Sequence, residues 1–202
     1  MSNLPIYKRK AMQMYQLVEW FQLNFPKLHK DLLRCNHNFD SQDLNPYHLE
    51  SDCWSHTMLV CKVAELSGYD KVVQVAALLH DIGKPKARKV NPRNNHVQFF
   101  GHEEISARMS DNILKQILQE GILNDYECIE VRELILKHSL LHKEVDSEEL
   151  IAEFLHKKDI YIHLVQLNRC DALGRFCADS GFSDEKYERL ISYAKNMQDM
   201  KR

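Results

Sequence analysis

The stretch Asp70–Pro85, DKVVQVAALLHDIGKP, decides how this chain is read. Val73, Ala76, Ala77 and His80 recur at helical spacing, so the segment 70–82 is expected to be a helix that is apolar along most of its length. Gly83 and Pro85 follow at once and are read as its cap and stop. A His-Asp pair therefore closes an apolar helix at a capped, rigid end. Buried polar groups cost free energy unless they are satisfied, so His80 and Asp81 need partners from other elements. The dipeptide alone says little, because with 11 histidines in 202 residues roughly one His-Asp pair is expected by chance. Its placement carries the information.

Helical periodicity continues on both sides. Residues 5–24 read as an amphipathic helix ending before Pro26, and 35–50 as a polar loop. Residues 52–67 form a helix with His56, Leu59, Val60 and Val63 on one face, and Gly68 as its stop. Residues 84–101 read as a long non-helical connection in which VQFF pairs briefly as a strand; loops this long inside a compact domain are often functional. Helices follow at 102–120 (Ile105, Met109, Ile113, Ile117), 126–143 (Val131, Leu134, Ile135, His138), 146–156, 158–175 (Ile160, Leu164, Leu167, Asp171) and 184–200. The fold class is all-α, a helical bundle with one long basic loop.

Composition is that of an ordinary globular chain, with 44% hydrophobic and 28% charged residues. The length suits one domain over 1–202, with a core of about 48–175 and helical additions at both ends. A net charge of −2 excludes the strongly basic balance usual in general nucleic-acid binders. The six cysteines have no C-x-x-C spacing, which argues against a thiolate zinc site and suits reduced thiols in a cytoplasmic protein. No run approaches 18 apolar residues and the N-terminal stretch lacks an apolar signal core, so no membrane association is expected.

Four helices place a metal-ligand type on or beside their apolar stripe: His56, His80 with Asp81, His138 and Asp171. His102 opens a fifth. Taken singly, each histidine is more often a hydrogen-bonded core residue, and Asp171 has Arg169 and Arg175 as alternative surface partners. Together they are the residue types with which bundles build interior metal sites. Between Ile82 and His102 lie Lys84, Lys86, Arg88, Lys89 and Arg93 with no acidic residue. This local positive patch can be a solvated loop or a phosphate-capturing one, since cations stabilise charge on a transferring phosphoryl group.

His56, LLHDIGKP at 78–85, GHE at 101–103 and Asp171 within NRCDALGR resemble the HD superfamily of metal-dependent phosphohydrolases. The phrase HLESDCWSHT at 48–57 is similar to the HD domain attached to some bacterial tRNA nucleotidyltransferases. The resemblance covers about residues 48–175, and with 47 residues upstream a stand-alone HD-domain bundle is expected. It implies that His56, His80, Asp81 and Asp171 bind a first metal, and that His102 and His138 add a second, with Asp81 as the bridge. His142 competes with His138, which is preferred because Leu134 and Ile135 precede it on the stripe. Glu50 and Glu103 can support the ligand histidines from behind, but ordinary surface glutamates are the preferred reading. Histidine with carboxylate suits Mn, Fe, Co, Ni or Zn, with Mg possible, as one or two divalent ions.

The implied activity is a metal-dependent phosphohydrolase acting on a phosphomonoester or phosphodiester of a nucleotide, of 5′-nucleotidase or cyclic-phosphodiesterase type. Asp81 and Lys84 are the expected catalytic pair, Lys84 and Arg88 the phosphate contacts, and a nucleotide or RNA end the substrate. An HD-type di-iron oxygenase and a nucleotide-binding module without turnover remain as alternatives. The oligomeric state is left open.

Overall fold

A computed structural model describes residues 12–38, 48–142, 154, 158–177 and 183–196. In chain order the helices are α1 Met14–Asn24, α2 Pro26–Arg34, α3 Cys53–Leu66, α4 Lys71–Leu79, α5 Lys84–Ala87, α6 His102–Gln119, α7 Asp125–Lys137, α8 Lys158–Leu173 and α9 Asp184–Asn196; the strands β1 Lys89–Val90 and β2 Val97–Gln98 lie between α5 and α6. The architecture is all-α, as expected, and no described helix is long and apolar enough to cross a membrane.

Helix α4 is the centre of the bundle. Val72, Val73, Val75, Ala76, Ala77, Leu78 and Leu79 are all buried, and α3, α7 and α8 pack around it. A helix apolar on every side must be enclosed. Its start is set by Asp70, whose carboxylate accepts from the Val73 amide at 3.1 Å. Asp52 caps α3 in the same way, accepting from Ser55 N at 2.9 Å. Such caps satisfy amides that have no intrahelical acceptor.

Several boundaries differ from the sequence reading. Pro26 does not close a helix over 5–24; α1 starts at Met14, and Pro26 opens α2 in its first turn, where a missing N–H costs nothing. Residues 5–11 of that expected helix lie outside the described residues. On α3 Leu59 is exposed, and the buried side is Cys53, His56, Thr57, Val60, Cys61 and Ala64. Gly83 is not a left-handed cap: its φ is −83°. It is glycine because α6 crosses it closely, and a Cβ there would stand 2.5 Å from Ser106 N and 2.6 Å from His102 O. The connection 84–101 is not wholly irregular. It contains the single helical turn α5, then an antiparallel hairpin pairing Lys89 with Gln98 and Val90 with Val97, so VQFF supplies a strand at Val97–Gln98. The expected helix 146–156 falls outside the described residues except for Phe154, which is buried.

The C-terminal helices close the bundle. Gly174 lets the end of α8 lie against Val60, whose Cγ2 would be 2.5 Å from an added Cβ. On α9, the Tyr187 hydroxyl donates to Asn168 Oδ1 at 3.1 Å. On α8, His163 sits between Glu130 (Nδ1 to Oε1, 2.5 Å) and Asp70 (Nε2 to Oδ2, 2.9 Å), tying α8 to α7 and to the start of α4.

Candidate metal centre

The six residues picked out in the sequence meet at one place. Asp81 lies in the turn after α4 with 1% of its surface exposed. Its Oδ2 is 3.2 Å from His80 Nε2, 3.6 Å from His56 Nε2 and 2.6 Å from Lys84 Nζ. Its Oδ1 is 3.3 Å from His102 Nε2 and 3.8 Å from His138 Nε2. Asp171, on α8, brings Oδ1 to 3.0 Å from His56 Nε2. His56 comes from α3, His102 is the first residue of α6, and His138 caps the C-terminus of α7.

The rings are oriented by a repeated local device. Nδ1 of His80 lies 2.8 Å from Ala77 O, that of His102 2.9 Å from Phe99 O, and that of His138 2.7 Å from Ile135 O. In each case the acceptor is the carbonyl three residues back. A carbonyl only accepts, so Nδ1 carries the proton and Nε2 keeps its lone pair when the ring is neutral. His56 Nδ1 lies 3.2 Å from the carboxylate of Glu50. All four Nε2 atoms therefore converge on Asp81. His102 Nε2 and His138 Nε2 are only 3.2 Å apart, and two lone pairs at that separation repel unless a proton or a cation lies with them.

Two inner atoms, His80 Nε2 and Asp81 Oδ1, are buried with no hydrogen-bond partner, whereas Asp81 Oδ2 has the Lys84 ammonium at 2.6 Å and His56 Nε2 has Asp171 at 3.0 Å. Orphaned buried polar atoms cost about 1–3 kcal/mol each. Neutral imidazole nitrogens around a carboxylate are the donor set of a divalent transition metal. His56, His80 and Asp81 form one group close enough to hold an ion, and Asp81, His102 and His138 another. The residues fit one or two cations, with Asp81 shared.

The charges agree. Burial opposes ionisation of Asp81, but His80 and Lys84 outweigh it and hold the carboxyl well below its usual range. Burial likewise opposes charge on Lys84, and Asp81 more than offsets it, so the ammonium stays protonated. His138 is pushed down to about 3 by burial and by His80 beside it, so the ring is neutral.

Above the ring opens a cleft of about 330 Å³, lined among others by Lys84, Gln98, Phe100, Ser139 and Arg175. Arg88, expected at the phosphate, is not part of it. Its guanidinium donates to the carbonyls of Asn36 at 3.0 Å and Asn38 at 3.1 Å, pinning that segment. Lys86, Lys89 and Arg93 are exposed, so most of the basic loop is a solvated face. Asp171 is in phase with the ring and also pairs with Arg175 Nη2 at 2.9 Å, whereas Arg169 pairs with Asp184. The side chain of His142 lies outside the described residues.

Sequence reasoning missed His37 and His48 and set Glu50 and Glu103 aside as surface glutamates. Glu50 is not a surface residue: its side chain is 4% exposed. Oε1 is 2.6 Å from His48 Nδ1, and Oε2 accepts from Phe176 N at 3.1 Å. Glu103 accepts from Ser139 Oγ at 2.6 Å and lies 3.3 Å from His102 Nδ1. His37 and His48 stack with ring centroids 4.1 Å apart, and His37 Nε2 is 3.4 Å from Lys84 Nζ. The histidines and Glu50 fall in or beside a loop without periodicity, so only their residue types could have flagged them.

Comparison with known proteins bears on the same region. Residues 53–176 match the model of the HD domain, more than half of the chain. The chain is 32% identical over 141 residues to the multifunctional CCA protein of Burkholderia cenocepacia (strain HI2424), a match covering 66% of this chain and 32% of the relative. A 34% identical match over 92 residues, 46% of this chain and 20% of the relative, is found with the multifunctional CCA protein of Methylobacillus flagellatus. The chain thus spans about a third or less of the length of these relatives. The matched span runs from the start of α3, which carries His56, to just past Asp171 on α8, and so encloses the ring around Asp81; the chain belongs to the HD domain family.

Proposed function

We propose that this chain is a metal-dependent phosphohydrolase for a phosphoester of a nucleotide or an RNA end. The observation that carries the reading is Asp81, whose two carboxylate oxygens face two different pairs of histidine Nε2 atoms. His56, His80, Asp81 and Asp171 would hold the first ion, and His102 and His138, with Asp81 shared, the second. Bound divalent ions supply a Lewis acid for a phosphoryl oxygen and a coordinated water of lowered pKa.

The remaining work falls to this chain's own side chains. Lys84 and Arg175 set two cations beside the ring, where they attract a phosphate and stabilise charge developing on it. Glu50 and the carbonyls of Ala77, Phe99 and Ile135 hold the imidazoles in one orientation before substrate arrives. Phe99 packs under Lys84, with its ring centroid 5.3 Å from Nζ, and restricts the ammonium to the Asp81 side. The small cleft fits one nucleotide unit better than a polymer. The cations at the cleft favour phosphoryl chemistry over oxygenation, and the named relatives, CCA proteins, support an RNA-end or nucleotide substrate.

The test is phosphate release by chelator-stripped protein reloaded with Mn, Co, Ni, Fe, Zn or Mg. The panel is nucleoside 5′- and 3′-monophosphates, 2′,3′- and 3′,5′-cyclic nucleotides and a phosphorylated oligoribonucleotide. Metal-dependent turnover of one subclass is the expected result. Silence across the panel with two irons bound per chain would move the assignment to an oxygenase.

A further inference from the structure

Phe100 is an exposed aromatic at a functional cleft. It is 78% exposed, yet it lines the cleft above Asp81 together with Gln98, two residues earlier. Scattered exposed apolar side chains are ordinary; an aromatic ring at the mouth of a charged cleft is less so. Its backbone is held firmly. Phe99 O accepts from both the amide of His102 at 3.1 Å and its Nδ1 at 2.9 Å. Gly101 takes a left-handed φ of +73°, which directs the chain into α6 three residues after β2 ends. Phe99 then lies against His37, at 5.5 Å between ring centroids, and Phe100 stays outside. The backbone at Phe100 is thus placed two residues from a candidate ligand, and its side chain lines the same cleft as Lys84 and Arg175.

We propose that Phe100 is a stacking platform for the nucleobase next to the phosphoester, with the Gln98 amide offering a donor and an acceptor to the base edge. This deepens, and rests on, the reading of the cleft as a nucleotide phosphoester site. A flat apolar face beside a phosphate-binding cleft matches the two halves of a nucleotide, and stacking tolerates any base because every base has a π face. The same chemistry is presented by a free mononucleotide and by the last nucleotide of an RNA.

The test measures binding and turnover separately. Calorimetry with the chelator-stripped protein compares AMP, CMP, a 3′-phosphorylated trinucleotide and ribose 5-phosphate, which lacks a base. Initial rates on the metal-loaded protein use the same compounds. Wild type should bind AMP more tightly than ribose 5-phosphate. Phe100→Ala should weaken AMP about tenfold, raise KM with kcat nearly unchanged, and leave ribose 5-phosphate unaffected. Phe100→Trp should restore AMP binding and Phe100→Leu should not. Equal affinity of wild type for AMP and ribose 5-phosphate, or an equal loss of both in Phe100→Ala, overturns the proposal. Phe100-dependent binding of AMP with no metal-dependent turnover of any compound in the wider phosphoester panel would keep the platform and remove the hydrolase reading. Preference for the trinucleotide over AMP assigns the site to an RNA end, and the reverse to a free nucleotide.

Discussion

Two clusters in this molecule are made of the same residue types and come out differently. His163 sits between Asp70 and Glu130, with a carboxylate on each ring nitrogen. Burial would lower its pKa, but the two acids outweigh burial and raise it to about 9. It is a protonated clamp with both donors used. Around Asp81, four imidazoles each spend Nδ1 on an oxygen behind them and bring Nε2 within 3.8 Å of one shared carboxylate, and His80 Nε2 and Asp81 Oδ1 are left without a hydrogen bond. The first cluster is complete by itself, and the second has donor atoms to spare. What separates them is the ratio of acids to rings and the side from which each ring is anchored.

The contrast is broken most directly by Asp81→Ala, for which we expect loss of bound metal and of metal-dependent activity with helical content unchanged. Metal analysis beside circular dichroism reads both, and a metal-loaded, active variant would sink the assignment. Glu50→Ala should lower metal affinity by about 10- to 100-fold, measured by chelator competition, because it frees the His56 ring without removing a ligand. His163→Gln should do the reverse. It should cost about 2 kcal/mol of stability in denaturant titrations and leave metal content untouched.

The pH dependence sharpens the same point. The folded pKa of His163, about 9, lies above its ordinary value of 6.5. Its contribution is therefore full below pH 6.5 and is lost as pH rises through about 9. Wild type should lose about 1.5 kcal/mol across that window relative to His163→Gln, less than the whole shift would give because Asp70 is half exposed and solvent screens the pair, in urea melts of metal-free protein. The smallest effect belongs to Arg88→Ala. The guanidinium holds the Asn36 and Asn38 carbonyls and faces no substrate, so kcat/KM should change by less than about threefold while stability falls by about 1 kcal/mol.

Legibility in the sequence followed periodicity. Helix α4 was readable because every apolar residue of 72–79 is buried, and His138 because Val131, Leu134 and Ile135 precede it on one buried stripe. Leu59 was misplaced because α3 buries more than half of its circumference, so a four-residue stripe does not single out the outward side. Glu50 and Arg88 were misjudged because their partners are remote: Glu50 meets the Phe176 amide 126 positions away, and Arg88 meets Asn36 52 positions away.

By itself, then, the sequence determined the longer helices and their order, though not α2 or α5, and the six ligand-type residues that face inward. Those depend on 3.6-residue spacing and on interactions that reach one turn, such as the histidine to the carbonyl three residues back. Tertiary structure alone decided which oxygen of Asp81 meets which histidines, that Glu50 and Arg175 join the site, and that Arg88 leaves it. Loop side chains have no period to follow; they take whatever charge and hydrogen-bond partners the packed helices bring within about 3 Å.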